Sequence, residues 1–395
     1  MDRRQRKTRD SIIKAIDLHP FLKNRIIIDG AKVLNHKYES IGIDEIVIEE
    51  IDEVTPDVIS DFVKPFDIID NQLFRFKIYV TPSNTVLLAD FHHLIVDGTS
   101  LNVLFNDISA IYEGDEDRLS NARASTYEYI SKENNYKLSK NNAKSEKFFD
   151  DMLRDFDENT VLTTNLTGDE ENANLAVVSS RIEKSMVEKF CYHQKISPNI
   201  LFMSSTILTL SKYISNKDIL ISTLFNGRDN PKYQNTIGML VKTIPIAFKT
   251  DRDMDIKKYF EFVNNSWLNV LNHSSYNYVE IANKYELNTD FLYAFHGKII
   301  EDVSMDGEKY PRESIGHDLL SCKISLNVIE VDDDYEIFIE YNDELYTEEY
   351  VSTFIDSIIK KNPICDNFDG VTINIISVPS ITSLKSVEQK TPSGT

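Results

Sequence analysis

Alternation of apolar and polar positions is clearest at Leu73 to Val80 and Thr85 to Phe91, two β-rich segments separated by the turn residues Thr81-Pro82-Ser83-Asn84, and it predicts a hairpin. Beyond it, Leu101, Leu104, Phe105, Ile108, Ile111 and Tyr112 recur at helical spacing as far as Gly114, a residue suited to the position just past a helix end. Phe91-His92-His93-Leu94-Ile95-Val96-Asp97-Gly98-Thr99-Ser100 lies between the two patterns, so two adjacent histidines fall at a strand-to-helix junction.

The same reading extends along the chain. Ser11 to Leu22 predicts an amphipathic helix, Arg25 to Asp29 a strand closed by Asp29-Gly30, and Ile46, Ile48 and Ile51 another strand. Thr55-Pro56-Asp57 starts a short helix with proline at its first position. From Tyr127 to about Thr160 the chain is polar and rich in Asn and Lys, with a helix around Ser145 to Leu153, and the acidic stretch Thr167 to Ala173 reads as a connector. After it come a strand at Ala176 to Ile182, a helix capped by Ser197-Pro198 and running through Ile214, and an apolar strand from Asp218 to Phe225 that ends at Asn226-Gly227-Arg228. Helices are expected at Lys257 to Asn272, Tyr278 to Leu287 and Glu348 to Lys361, and strands at Phe291 to Phe295, Leu319 to Val331, Tyr335 to Tyr341 and Val371 to Val378. The expected division is 1–165 for a first lobe, 166–378 for a second, and 379–395 for a Ser-, Thr- and Lys-rich, linker-like tail.

A chain of 395 residues is long enough for two such lobes, and 41% hydrophobic residues supply both cores. The net charge of −21 argues against nucleic acid or an anionic membrane as partner, since either calls for a broad basic face. Basic residues do cluster at Arg3, Arg4, Arg6, Lys7 and Arg9, but no apolar run follows them, so a cytoplasmic location is expected. Cys191, Cys322 and Cys365 lack Cys-x-x-Cys spacing, which makes a structural zinc or a disulfide framework unexpected; no metal is called for.

The pattern His92-His93, three residues, Asp97-Gly98 resembles the active-site signature of the condensation domains of non-ribosomal peptide synthetases, within the chloramphenicol-acetyltransferase-like acyltransferase superfamily. Three further stretches agree with it in order and spacing: Lys64-Pro65-Phe66-Asp67 through Leu73-Phe74-Arg75, Asn226-Gly227-Arg228 followed by Ile237-Gly238-Met239-Leu240-Val241-Lys242-Thr243-Ile244-Pro245, and Leu18-His19-Pro20-Phe21-Leu22-Lys23 near the N-terminus. The resemblance implies an α/β (α+β) fold of two acetyltransferase-like lobes arranged as a V-shaped pseudo-dimer, with mixed sheets flanked by helices and a channel between the lobes.

It also implies a reaction, in which an acceptor amine attacks a thioester carried on phosphopantetheine. The cofactor then belongs to peptidyl or acyl carrier protein partners, with an adenylation domain in cis or in trans, and none is carried by this chain. Imidazole titrates near neutral pH and suits the proton transfer. By resemblance His93 faces the channel, as a general base or as a hydrogen-bonding group that positions the amine. His92 is expected to be structural, because neighbours on an extended segment point to opposite sides. Asp97 is expected to point away from substrate and pair with an arginine. The family's arginine position holds Lys23 here, so Lys23 or Arg25 is the expected partner. Gly98 fits a sharp turn or a close approach of substrate, and Thr99 or Ser100 a helix cap. Asn226, Arg228 and Gly238 are expected along the channel or its floor, with Lys242 where the family usually has asparagine; His273 and Tyr276 sit at a weaker motif.

Two other readings stand beside this one: a stand-alone acyltransferase of the same superfamily, and an inactive remnant that only docks carrier proteins. The second is motivated by Lys23 and by the lack of the "Ser-x-Ala-Gln-x-Arg" segment with which family members begin. Asp97-Gly98-Thr99-Ser100-Leu101 looks more like condensing than epimerising members.

Overall fold

In the computed structural model, residues 3–30, 32–37, 46–120, 124–154, 156, 160–168, 173–214, 218–249, 254–287, 290–298, 302–313 and 322–360 are described. The predicted strand at Val371 to Val378, the tail and Cys365 lie outside them.

The first helix, α1 (Arg3–Leu18), begins and ends earlier than its apolar periodicity predicts. Arg, Gln and Lys are good helix formers and extend it toward the N-terminus without contributing to the apolar stripe. At the other end Pro20 forces the residue before it out of the helical region; His19 has φ −118 and ψ 78, and Pro20–Lys23 forms a single 3-10 turn. There follow β1 (Asn24–Asp29) paired antiparallel with β2 (Lys32–Lys37), then β3 (Val47–Glu50) and α2 (Pro56–Phe62), capped by the Thr55 side chain. The predicted hairpin is β4 (Phe74–Val80) with β5 (Thr85–Phe91), and β3 joins β4 in parallel. Helix α3 (Gly98–Glu113) ends at Gly114, whose φ of 74 suits glycine. It lies against α1 over a first core that includes Ile12, Ile16, Leu22, Phe74, Ile95 and Leu104.

Helix α4 (Thr126–Lys137), closed by a capping box between Ser125 and Glu128, was not legible as a helix, because it buries only Thr126 and Tyr129 and so has little apolar stripe. Helix α5 (Lys140–Leu153) follows it. Next come β6 (Leu175–Glu183), α6 (Lys184–Gln194), α7 (Pro198–Tyr213), β7 (Asp218–Phe225) and β8 (Lys242–Lys249). The chain continues through α8 (Ile256–Asn272), α9 (Tyr278–Tyr285), β9 (Phe291–Gly297), the small hairpin β10 (Val303–Met305) with β11 (Glu308–Tyr310), β12 (Ile324–Val331), β13 (Asp334–Asn342) and α10 (Glu348–Lys360). Six of these strands form one mixed sheet in the order β6-β13-β12-β9-β7-β8, with β9 parallel to both β7 and β12.

This sheet and its helices enclose a second core, which takes in Phe149, Leu153 and Leu162 from residues ahead of the expected division at 165. Cys191 is buried there, and burial pushes its thiol up to about 12. Two excursions tie the lobes together. Ile237 joins the first core, and the β10–β11 hairpin lies on α3, where the Tyr112 hydroxyl donates to Asp306 at 2.8 Å.

Candidate active site

The site starts from a strand that overruns its hairpin. His92 N–H donates to the Leu73 carbonyl at 2.8 Å, one step beyond the last residue pair of β4 and β5, and the His92 carbonyl accepts from Ile95 N–H at 3.1 Å. A tight turn results. Ile95 and Val96 are drawn into the first core and Asp97 is buried behind them, so His93 and Leu94, at the tip, are left exposed. Apolar burial on one side of the turn thus presents the imidazole on the other.

His93 Nδ1 lies 3.2 Å from the Val96 carbonyl. A carbonyl only accepts, so this contact assigns the proton to Nδ1 and leaves the Nε2 lone pair directed outward. His92 is half-buried; its Nδ1 accepts from Leu94 N–H at 3.1 Å and its ring meets Phe66 edge-on. The two rings therefore have separate environments, one packed and one open.

Asp97 caps α3, and its carboxylate gathers donors from both lobes. Oδ1 accepts from Ser100 N–H at 2.9 Å and from Arg228 Nη2 at 2.9 Å, with the Ser100 hydroxyl at 2.8 Å. Oδ2 accepts from Arg228 Nη1 at 2.8 Å, Leu240 N–H at 3.0 Å and Val241 N–H at 3.2 Å. The two side chains are 1% and 2% exposed, so the pair is fully desolvated. Arg228 also donates to the carbonyls of Asn226 and Thr236, both at 3.0 Å.

The expected partners of Asp97 are thereby corrected. Lys23 Nζ lies 2.8 Å from Asp17, and Arg25 donates to the Asp70 carbonyl at 3.1 Å. The guanidinium comes instead from Arg228, 131 residues downstream and expected only as a channel residue. Gly227 brings it there: its φ of 69 reverses the chain after β7, and a Cβ at this position would lie 2.1 Å from the Leu240 carbonyl oxygen. The capping expectation changes too, because Asp97 itself is the cap, and Ser100 Oγ bridges to Gly238, 2.9 Å from its carbonyl and 3.0 Å from its N–H. Gly98 opens α3 and is not among the glycines with positive φ, so no sharp turn requires it.

Gly238 is a close-approach glycine, since a Cβ there would lie 2.7 Å from Thr126 Cγ2. Asn226 Oδ1 accepts from Arg228 N–H at 3.0 Å and shapes the same turn. Lys242 forms an ion pair with Glu133 of α4. His273 is a packing residue, stacked on Phe148 and 2.7 Å from the Ser145 hydroxyl through Nδ1. The backbone N–H groups of Leu240 and Val241, which hold Asp97 from the second lobe, have no side-chain signature by which a sequence could announce them.

Known proteins match this chain over most of its length. The family model described as Condensation domain matches residues 5–361. Surfactin synthase subunit 2 of Bacillus subtilis (strain 168) is 22% identical over 359 residues, 87% of this chain and 10% of that protein. Bacitracin synthase 1 of Bacillus licheniformis is 22% identical over 346 residues, 82% of this chain and 6% of its own length. The chain thus spans a tenth or less of the length of these relatives. Among solved structures, the first condensation domain of the calcium-dependent antibiotic synthetase, in complex with substrate analogue 3a, superposes with TM-score 0.73 at 13% identity, covering 93% of this chain and 88% of that one. The epimerization domain from the third module of tyrocidine synthetase B gives 0.73 at 14% identity, covering 91% and 88%. With the family model matched over nearly its whole described length, and with the His-His motif and its buried Asp–Arg clamp in place, this chain belongs to the condensation-domain family of non-ribosomal peptide synthetases.

Proposed function

We propose that this domain joins a carrier-bound acyl thioester to a carrier-bound amino acid, with His93 as the catalytic residue. The observation that carries the reading is the exposed imidazole at the tip of the turn, its Nδ1 on the Val96 carbonyl and its Nε2 lone pair facing outward. The acceptor amine attacks the thioester carbonyl; the C–N bond forms, and the proton shed by nitrogen passes to His93 Nε2. The C–S bond then breaks, and the departing thiolate takes that proton back. Asp97 and Arg228 are positioning residues: their clamp holds both ends of the loop at the junction of the lobes. Phosphopantetheine arms on peptidyl or acyl carrier proteins deliver both substrates, and an adenylation domain loads the acceptor. Among the described residues no helix is long and apolar enough to cross a membrane, and we place the reaction in the cytoplasm.

The test is transfer between two loaded carrier proteins by the parent and by His93→Ala. The variant is expected to lose about 10²- to 10⁴-fold in rate with an unchanged melting curve. Product formation at the parental rate would remove His93 from the mechanism.

A further inference from the structure

Asn226-Gly227 is the only Asn-Gly pair in the chain. It follows β7 directly and opens the reversal that carries Arg228 to Asp97. Asn226 is exposed, and its Oδ1 accepts from Arg228 N–H at 3.0 Å, so the side chain folds over the Gly227 peptide. The main-chain carbonyl of Asn226 accepts from Arg228 Nη1, also at 3.0 Å. Among the described residues, neither Asn226 Nδ2 nor Gly227 N–H has a hydrogen-bond partner. Gly227 has no side chain to stand between its nitrogen and the Asn226 amide.

Each of these contacts favours one reaction, ring closure of the asparagine onto the peptide nitrogen that follows it. That nitrogen must lose its proton before it can attack, and the charge left behind spreads onto the Asn226 carbonyl oxygen. A guanidinium bonded to this oxygen favours the charged form. As the nitrogen closes on Asn226 Cγ, negative charge develops on Oδ1, where Arg228 N–H already stands as an oxyanion donor. The leaving group, Nδ2, has no acceptor to hold it among the described residues. Exposure of Asn226 admits hydroxide and water.

We propose that Asn226 is a modification site, at which the folded chain converts its own asparagine to isoaspartate and aspartate, the isoaspartate form losing the clamp on Asp97. Gly227 N, deprotonated by hydroxide, forms a bond to Asn226 Cγ; the Cγ–Nδ2 bond breaks, and Nδ2 leaves as ammonia with a proton from water. A second water opens the five-membered imide at either carbonyl and leaves one carboxylic acid, ionised at neutral pH. Opening at the former side-chain carbonyl gives aspartate, which keeps the backbone and the turn. Opening at the main-chain carbonyl gives isoaspartate, whose backbone runs through Cγ and is longer by one C–C bond, about 1.5 Å. The clamp bonds of Arg228, at 2.8 and 2.9 Å, do not survive a displacement of that size.

The experiment holds the full chain in warm, mildly alkaline buffer and follows Asn226 by peptide mapping, with an isoaspartate-specific methyltransferase as second readout. A synthetic peptide of residues 222–230 is the unfolded reference. Asn226 is expected to convert faster in the folded chain than in the peptide, at a rate that rises with pH and with ammonia released in equal amount. Asn226→Gln, which needs a six-membered ring, should abolish the conversion. Converted protein, separated from the parent by its added negative charge, should melt at a lower temperature in step with its isoaspartate content. Conversion slower than in the peptide, or none, would overturn the site; isoaspartate protein that melts with the parent would overturn its effect on the clamp. Neither readout depends on the acyl-transfer reading. Transfer intact in converted protein that melts lower would remove the positioning role of the clamp and leave the modification site standing.

Discussion

Replacing Arg228 by alanine tests the clamp directly. The substitution removes two charge-assisted bonds, at 2.8 and 2.9 Å, from a carboxylate that is 1% exposed, and leaves Asp97 with the Ser100, Leu240 and Val241 donors. Breaking a buried pair on one side costs about 3 to 5 kcal/mol, and the remaining donors place this case near the lower end. For a lobe of this size that lowers Tm by about 6 to 12 °C. Arg228→Lys should recover only part of the loss, because one ammonium has three donors where Nη1 and Nη2 together make five contacts. A double-mutant cycle with Asp97→Asn and Arg228→Gln isolates the pair, read as the shift of the first thermal transition. Coupling of about 2 kcal/mol is expected, because the double variant replaces two buried charges with two amides. Additivity within about 0.5 kcal/mol, or an Arg228→Ala protein that melts with the parent, would show that the loop is held by something else.

Further expectations can be checked in the same way. Lys23→Ala should cost less than Arg228→Ala, about 1 to 2 kcal/mol, because its ion pair is with Asp17, which is 53% exposed, although its own side chain is only 7% exposed and its stem is lost from packing; an equal loss in the melting curve would return the clamp to Lys23. Gly227→Ala should cost about 2 to 5 kcal/mol, since it combines a left-handed backbone with a Cβ against the Leu240 carbonyl, and denaturant titration reads it. Acid should destabilise the fold through His296. Burial lowers its folded pKa from 6.5, so the unfolded chain binds the proton more readily; this contribution is full above about pH 6.5 and is lost as pH falls toward the folded value. His296→Gln should therefore flatten the acid side of a Tm-against-pH profile, and an identical slope would show that the ring is not held neutral.

The sequence was most informative where local physics decides. The hairpin of β4 and β5, the amphipathic α3 with Gly114 behind it, and α7 with Ser197 before it were legible because periodicity, turn residues and caps act within a few positions. Helix α4 was missed because it buries so little, and β8, for which no strand was expected, forms the sheet edge beside β7. The position of His93 in a strand-to-helix turn also came from the chain alone, since Ile95 and Val96 must be buried whatever lies on the other side. The identity of Asp97's partner did not. Lys23 stands where a motif would put the guanidinium, yet the carboxylate is satisfied by Arg228 and by two backbone N–H groups that no residue pattern encodes. A buried charge takes whichever donors the packed lobes bring within about 3 Å, and that is decided by the left-handed turn at Gly227 and the crossing of Gly238 to Val241.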